Sequence, residues 1–190
     1  MTYASGGPIE ATDYNSLVGG NPVTSSGKLN TVWATGGSDK GYGQTALANV
    51  STGQTVAASD WANLVNKTSN AASHQGTSIS SVTAPAAGDS VTYLSAIPTN
   101  LTTIYNSRLN AASQGSTSSN TATYASTWSS SLTFTHTATF ANGDAARYFF
   151  NSGGQLAITC SHPSGTGIDL LLNNLASNIG TVVLSAPDSG

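Results

Sequence analysis

Two rhythms of apolar residues divide this chain. Over residues 1–115, apolar side chains recur three and four positions apart, the spacing that lines one face of a helix. The sets are Tyr14/Leu17/Val18, Leu29/Val32/Trp33, Trp61/Leu64/Val65 and Leu101/Ile104/Tyr105, the last extended through Ile97 and Leu109. They predict four helices, the first two short. Thr12 and Ser59 are placed to cap free amides, Asp13 and Asp60 put a carboxylate at the positive helix end, and Gly19–Gly20 and Gly36–Gly37 stop the first two helices. From Ala122 the period falls to two: Tyr124, Trp128, Leu132, Phe134 and Phe140 take even positions, while Thr133, Thr135, Thr137 and Thr139 take the other face. That alternation predicts two strands or one long bent one.

Further along, DAARYFFNSGG has apolar residues at helical spacing ahead of Gly153–Gly154 and predicts a short helix, with a strand as the alternative. Gln155 to Ser161 and Thr181 to Leu184 predict strands, and Ile168 to Leu175 a helix with Asp169 in its first turn. The polar stretch SQGSTSSNT at 113–121 is flexible by composition and marks the boundary between halves. The expected fold class is therefore α+β: a helical assembly domain of about four short helices at 1–115, a linker at 113–121, and a small β-rich α+β domain at 122–190. The ending at APDSG, one strand after a helix, leaves open whether the natural product continues past residue 190.

An internal repeat runs through the helical half. IEATDYNSLV at 9–18 aligns without a gap to VAASDWANLV at 56–65, and NAAS recurs at 70–73 and 110–113. Duplication of a small helical unit would place the Tyr14 and Trp61 helices in equivalent positions of one bundle. Convergence of two short, similarly capped amphipathic helices would produce the same strings.

Composition changes the picture through charge. Only 7 % of residues are Asp, Glu, Lys or Arg, where soluble domains carry about a quarter. With 38 % apolar residues the chain still has the material of a folded core. A surface solubilised by hydroxyls and amides does not repel copies of itself, which suits a permanent assembly better than a freely diffusing enzyme. The net charge of −3 and the scatter of Lys28, Lys40, Lys67, Arg108 and Arg147 argue against nucleic-acid binding. Neither a basic-then-apolar leader nor a run of about 18 apolar residues is present, so the reading is a soluble product without an export signal or membrane contact. Cys160, the single cysteine, excludes an internal disulfide and reads as a small buried side chain.

Candidate chemistry is thin. There is no G-x-S-x-G elbow, and GGSDKG at 36–41 has the wrong spacing for one. His74 reads as a helix C-terminal cap, His136 as a core or interface residue on the even strand face, and His162 as a solvated turn residue ahead of Pro163. No histidines pair at metal-ligand spacing, so neither metal nor cofactor is implied. Asp89, Asp144 and Asp169 stand beside Gly or Ser in turns and caps, a structural setting rather than that of a glycosidase pair. GYGQ at 41–44 lacks the rest of a phosphate loop, and its glycines suit a tight turn around Tyr42.

Four strings, IEATDYNSLV, DKGYGQ at 39–44, VAASDWANLV followed by ASHQG, and ARYFFNSGG at 146–154, together resemble virion structural proteins of tailed phages, especially contractile-tailed phages of aquatic bacteria. The resemblance spans about residues 8–155 in the same order. It implies a particle component described as structural or fibre-like and supplies no catalytic site. Such proteins carry more β sequence after FFNSGG than this chain does.

The leading expectation is a non-enzymatic phage virion protein, a tail fibre or baseplate component located in the tail. It would assemble with other virion proteins and copies of itself through its helical half, with Tyr14, Trp33, Trp61 and Tyr105 as core or interface anchors. A neck, collar or capsid-decorating fibre is the near alternative. A second expectation is a carbohydrate-binding adhesion module in which Tyr124, Trp128 and Tyr148 stack on a host-surface glycan. An enzyme of unrecognised type is the third.

Overall fold

Helix α1 (Ala11–Val18) begins where Asp13 turns its carboxylate back on the amide of Glu10, at 3.2 Å. Helix α3 (Ala58–Gln75) begins with the same device, Asp60 accepting from the amide of Ala57 at 2.9 Å. The expected caps Thr12 and Ser59 thus lie inside the helices, and the acids four residues before Leu17 and Leu64 are the better signal. Between them lies the single turn α2 (Leu29–Val32), and after them come α4 (Ala96–Asn106), α5 (Gly143–Asn151), strand β1 (Leu156–Thr159), α6 (Ile168–Ile179) and strand β2 (Thr181–Leu184). The computed structural model describes residues 10–20, 23, 25–89, 95–112, 115–124, 128 and 130–186.

The core lies among α1–α4. Tyr14, Leu17, Val18, Leu29, Val32, Trp61, Leu64, Leu101 and Ile104 are buried together. The two repeat copies meet there: Tyr14 and Trp61 stack edge-to-face with centroids 5.6 Å apart, and Leu17/Val18 and Leu64/Val65 are buried beside them. Repeat positions that match in sequence therefore also match in role, each filling half of one contact.

Helices this short cannot cover one another, and the uncovered core is closed by extended chain. Leu47, Val50, Val56, Ile79, Val82 and Ala84 lie against it. Three asparagines fasten these segments. Asn15 pairs with both backbone groups of Val50, each bond 2.8 Å. Asn30 does the same at Leu47, at 2.8 and 3.0 Å, and Asn100 at Ser80, also at 2.8 and 3.0 Å. A side-chain amide presents the same donor and acceptor as a peptide group, so each asparagine acts as one rung of a β-ladder projecting from a helix.

The α+β expectation is overturned. The fold is mostly helical, with about 38 % of described residues in helix and 5 % in strand. Among the described residues the sheet is one antiparallel pair, β1 with β2, in the register Leu156↔Leu184 to Thr159↔Thr181. Among the described residues of the expected strand at 122–140 no ladder forms, and within 130–140 no residue shares a backbone hydrogen bond with another described residue. Alternation specifies which face a strand would bury, whereas a strand exists only when a second backbone satisfies its amides. Within this chain no described segment supplies one.

Candidate functional site

Three of the strings singled out by resemblance converge in space. Residues 42–44 fold back on the α2 turn, the amides of Tyr42, Gly43 and Gln44 donating to Val32, Ala34 and Trp33 at 2.8–3.0 Å. This leaves the carbonyls of the 35–41 loop pointing outward, and α5 takes them. Arg147 donates to the carbonyls of Thr35 and Lys40 at 3.0 and 2.8 Å, and Asn151 Nδ2 to those of Ser38 and Lys40 at 3.2 and 3.0 Å. Tyr148 packs on Gly43, where even a Cβ would sit 2.4 Å from the ring.

The ASHQG string joins from α3. Gln75 donates to the hydroxyl of Tyr42 at 2.8 Å and to the carbonyl of Ile104 at 2.9 Å, while Tyr42 donates onward to the carbonyl of Arg108 at 2.6 Å. His74 does not cap its own helix as expected. Its Nε2 meets the carbonyl of Ser152 beyond α5 at 2.9 Å, and Gly76 closes α3 in the left-handed conformation. Beside this junction Asp39 pairs with both Arg108 and Lys40. Burial tends to raise the Asp39 pKa, but the hydrogen bonds and charges of Lys40 and Arg108 outweigh it and hold the carboxyl down at about 2. Burial, eased by the Gln75 bond and the Arg108 charge, pushes Tyr42 up to about 12; Tyr14 reaches about 12 through burial and the nearby Asp60 charge.

The hydrogen bonds of this junction fasten one segment to another. Among the described residues no three of His, Cys, Asp or Glu gather as a metal site would require. The junction's effect is to seat α5, and with it the start of everything that follows, on the helical body.

Away from the helical core the character of the molecule changes. Thirteen large apolar side chains between Tyr124 and Leu184 are exposed, at 36 % to 71 % of their surface. Helix α6 buries no residue; Leu172 and Ala176 are half-covered, while Ile168, Leu171, Leu175 and Ile179 face outward. Both faces of β2 are open. Cys160, expected to be buried, is exposed. His136 is exposed as well, and His162 bonds the carbonyl of Pro163 at 2.8 Å with Asp169 3.9 Å away.

The residues picked out from sequence divide accordingly. Tyr14 and Trp61, 1 % and 2 % exposed, are inside the protein's own core. Trp33 and Tyr105 are half-buried at its margin, under the cations of Lys67 and Arg108. Tyr124 and Trp128 are exposed, and Tyr124 stands edge-to-face with Phe134 at 4.7 Å. Tyr148 belongs to the junction, with Arg147 over its ring at 4.5 Å. Sequence reasoning missed Asn15, Asn30, Asn100 and Asn151, because a polar residue on a helix reads as solvent-facing unless its partner is known. Among the described residues, no helix is long and apolar enough to cross a membrane.

Compared with known proteins, the chain matches no family model, no curated protein and no solved structure.

Proposed function

We propose that this chain is a non-enzymatic structural component of a phage virion, a tail-associated fibre or baseplate protein. The observation that carries the reading is the apolar surface between residues 124 and 184. Soluble monomers rarely expose apolar patches beyond a few hundred Å², and larger ones mark surfaces that other molecules cover. The charge-poor composition and the four phage-like strings point to a particle as the setting. Because Tyr14 and Trp61 are internal, the assembling surface lies among residues 124–184, and the helical body serves as the mount on which the junction seats α5. Immunogold labelling and peptide mass spectrometry of purified particles test the proposal: the expected result is the chain on the tail in fixed copy number. Its presence only in the soluble fraction of lysed cells would end it.

The exposure of Tyr124 and Trp128 at 46 % and 44 % favours a second reading, in which this surface also holds a host glycan by ring stacking. Tyr148 takes no part in it, being seated on Gly43. Loss of glycan-array binding in W128A, with the fold intact, is the expected signature; an array with no hits for the native chain removes the idea.

A further inference from the structure

We infer that Asn142 is a self-modification site, its side-chain amide converting to a carboxylate through a cyclic imide with Gly143 at a rate set by the seating of α5. This goes beyond the assembly reading and stands or falls without it.

Asn142 and Gly143 form the single Asn-Gly step in the chain. Both residues are exposed, and a Cβ built on Gly143 would meet nothing within 4 Å, so the way to its nitrogen is open. Gly143 is also the first residue of α5, where the backbone amide has no acceptor within the helix. Its nitrogen can therefore attack Cγ of Asn142. The new N–Cγ bond forms, the proton of the Gly143 amide passes to solvent, and the Cγ–Nδ2 bond breaks with the nitrogen leaving as ammonia. Water then opens the imide. Addition at Cγ gives aspartate; addition at the main-chain carbonyl gives isoaspartate, with the chain now running through the side-chain carbon. Nothing is oxidised or reduced, and only water is consumed. Elsewhere the arrangement is less open: Asn151 is 4 % exposed with Nδ2 on the carbonyls of Ser38 and Lys40, and the exposed Asn106 is followed by a serine, whose β-carbon crowds the nitrogen.

Two contacts hold the reaction back while α5 is formed. The Oδ1 of Asn142 accepts from the amide of Ala145 at 2.8 Å, which keeps the side chain over the first helical turn. Ring closure also needs rotation about the Cα–C bond of Asn142, and that rotation swings the preceding chain relative to α5. Phe140 opposes it, stacked on Phe149 and Phe150 with centroids 5.4 and 6.1 Å away. Both contacts exist only on a formed helix, and nine residues are too few to stay helical alone. What keeps α5 formed is its seat: Arg147 and Asn151 on the 35–41 loop and Tyr148 on Gly43. The reaction therefore proceeds from the unseated population. Isoaspartate then makes unseating permanent, because the added main-chain carbon displaces the cap, whereas aspartate keeps an acceptor at the cap and a negative charge at the positive helix end.

The test uses the full chain, held in warm neutral buffer and sampled over days. Peptide mass spectrometry follows the amide-to-acid change at residue 142, and isoaspartyl methyltransferase labelling follows the isoaspartate. Conversion in G43A should be roughly tenfold or more faster than in the native chain, since the rate follows the open population. R147A, which removes the bonds to Thr35 and Lys40 and leaves Gly43 in place, should also accelerate it. G43A/G143A should keep the loosened helix and lose the reaction, and Asn106 should stay slow in the native and R147A chains. Hydrogen exchange reads the consequence: the isoaspartyl fraction should exchange faster over 143–153, while N142D should match the native chain. Should G43A lose protection in α3 as well, R147A alone decides. No conversion at Asn142 in any chain, equal rates in the native and R147A chains, or an R147A rate at Asn106 equal to that at Asn142 overturns the assignment. The presence or absence of the chain on particles alters none of these outcomes.

Discussion

Asparagine does the tying that ion pairs do in more charged proteins. Asn30 is fully buried and its amide holds both backbone groups of Leu47 together with the carbonyl of Gly19. Replacing it with alanine strands those groups, at about 1–3 kcal/mol. Thermal unfolding of N30A should come roughly 3–10 °C lower, while N106A, on the exposed side of α4, should leave the transition in place. Among the few charges, Asp39 is the one with a pH signature. Its folded pKa of about 2 lies below the ordinary 3.8, so its contribution is complete above the ordinary value and disappears as pH falls toward the folded one. Because the carboxylate is 28 % exposed, solvent screening reduces that contribution to about 1 kcal/mol. Denaturant titrations of D39N should show a shallower loss of stability between pH 4 and 2. At this scale the large aromatics Tyr14 and Trp61 were legible from their spacing. The asparagines were not, since the Val50, Leu47 and Ser80 backbones they meet lie 20–35 residues away or at a separation of 17.

The elements were legible wherever local spacing alone fixes the backbone, whether or not the segment buries its apolar face. Helices α1–α4 overlap the residue sets that spacing picked out, β1 and β2 fall within their expected segments, α5 starts one residue before its segment, and α6 runs on from the expected Leu175 to Ile179. The 122–140 stretch failed as a strand because alternation reports a face and not a partner. Helix α5 shows the converse: it follows the polar stretch in sequence yet is bonded to the 35–41 loop through Arg147 and Asn151. Its seat depends on Gly43, which has φ +70° and no room for a side chain under Tyr148. In G43A, left-handed backbone strain and the clash together should cost about 2–4 kcal/mol. The expected consequence is selective: proteolysis or hydrogen exchange should accelerate at 143–153, with α3 still protected. Uniform acceleration through α3 would mean that α5 is part of the core rather than fastened to it.

For the molecule as a whole, the large apolar side chains left open lie between Tyr124 and Leu184, whereas the stripes of the helical half, expected to need neighbouring subunits, are largely covered within the chain. The helical stripes looked too numerous for one small bundle. What spacing alone does not reveal is that non-helical chain, from Leu47 to Val56 and Ile79 to Ala84, closes over them. The same construction has an environmental consequence. Neutral amide-to-peptide clips carry no atmosphere of counterions, so diluting or concentrating the surrounding electrolyte leaves them unaltered. Melting temperatures of the helical body should stay level from about 0.01 to 1 M NaCl, a span over which the screening distance shrinks tenfold. Fresh water and brine would then be equivalent habitats for this architecture, and heat its one common adversary.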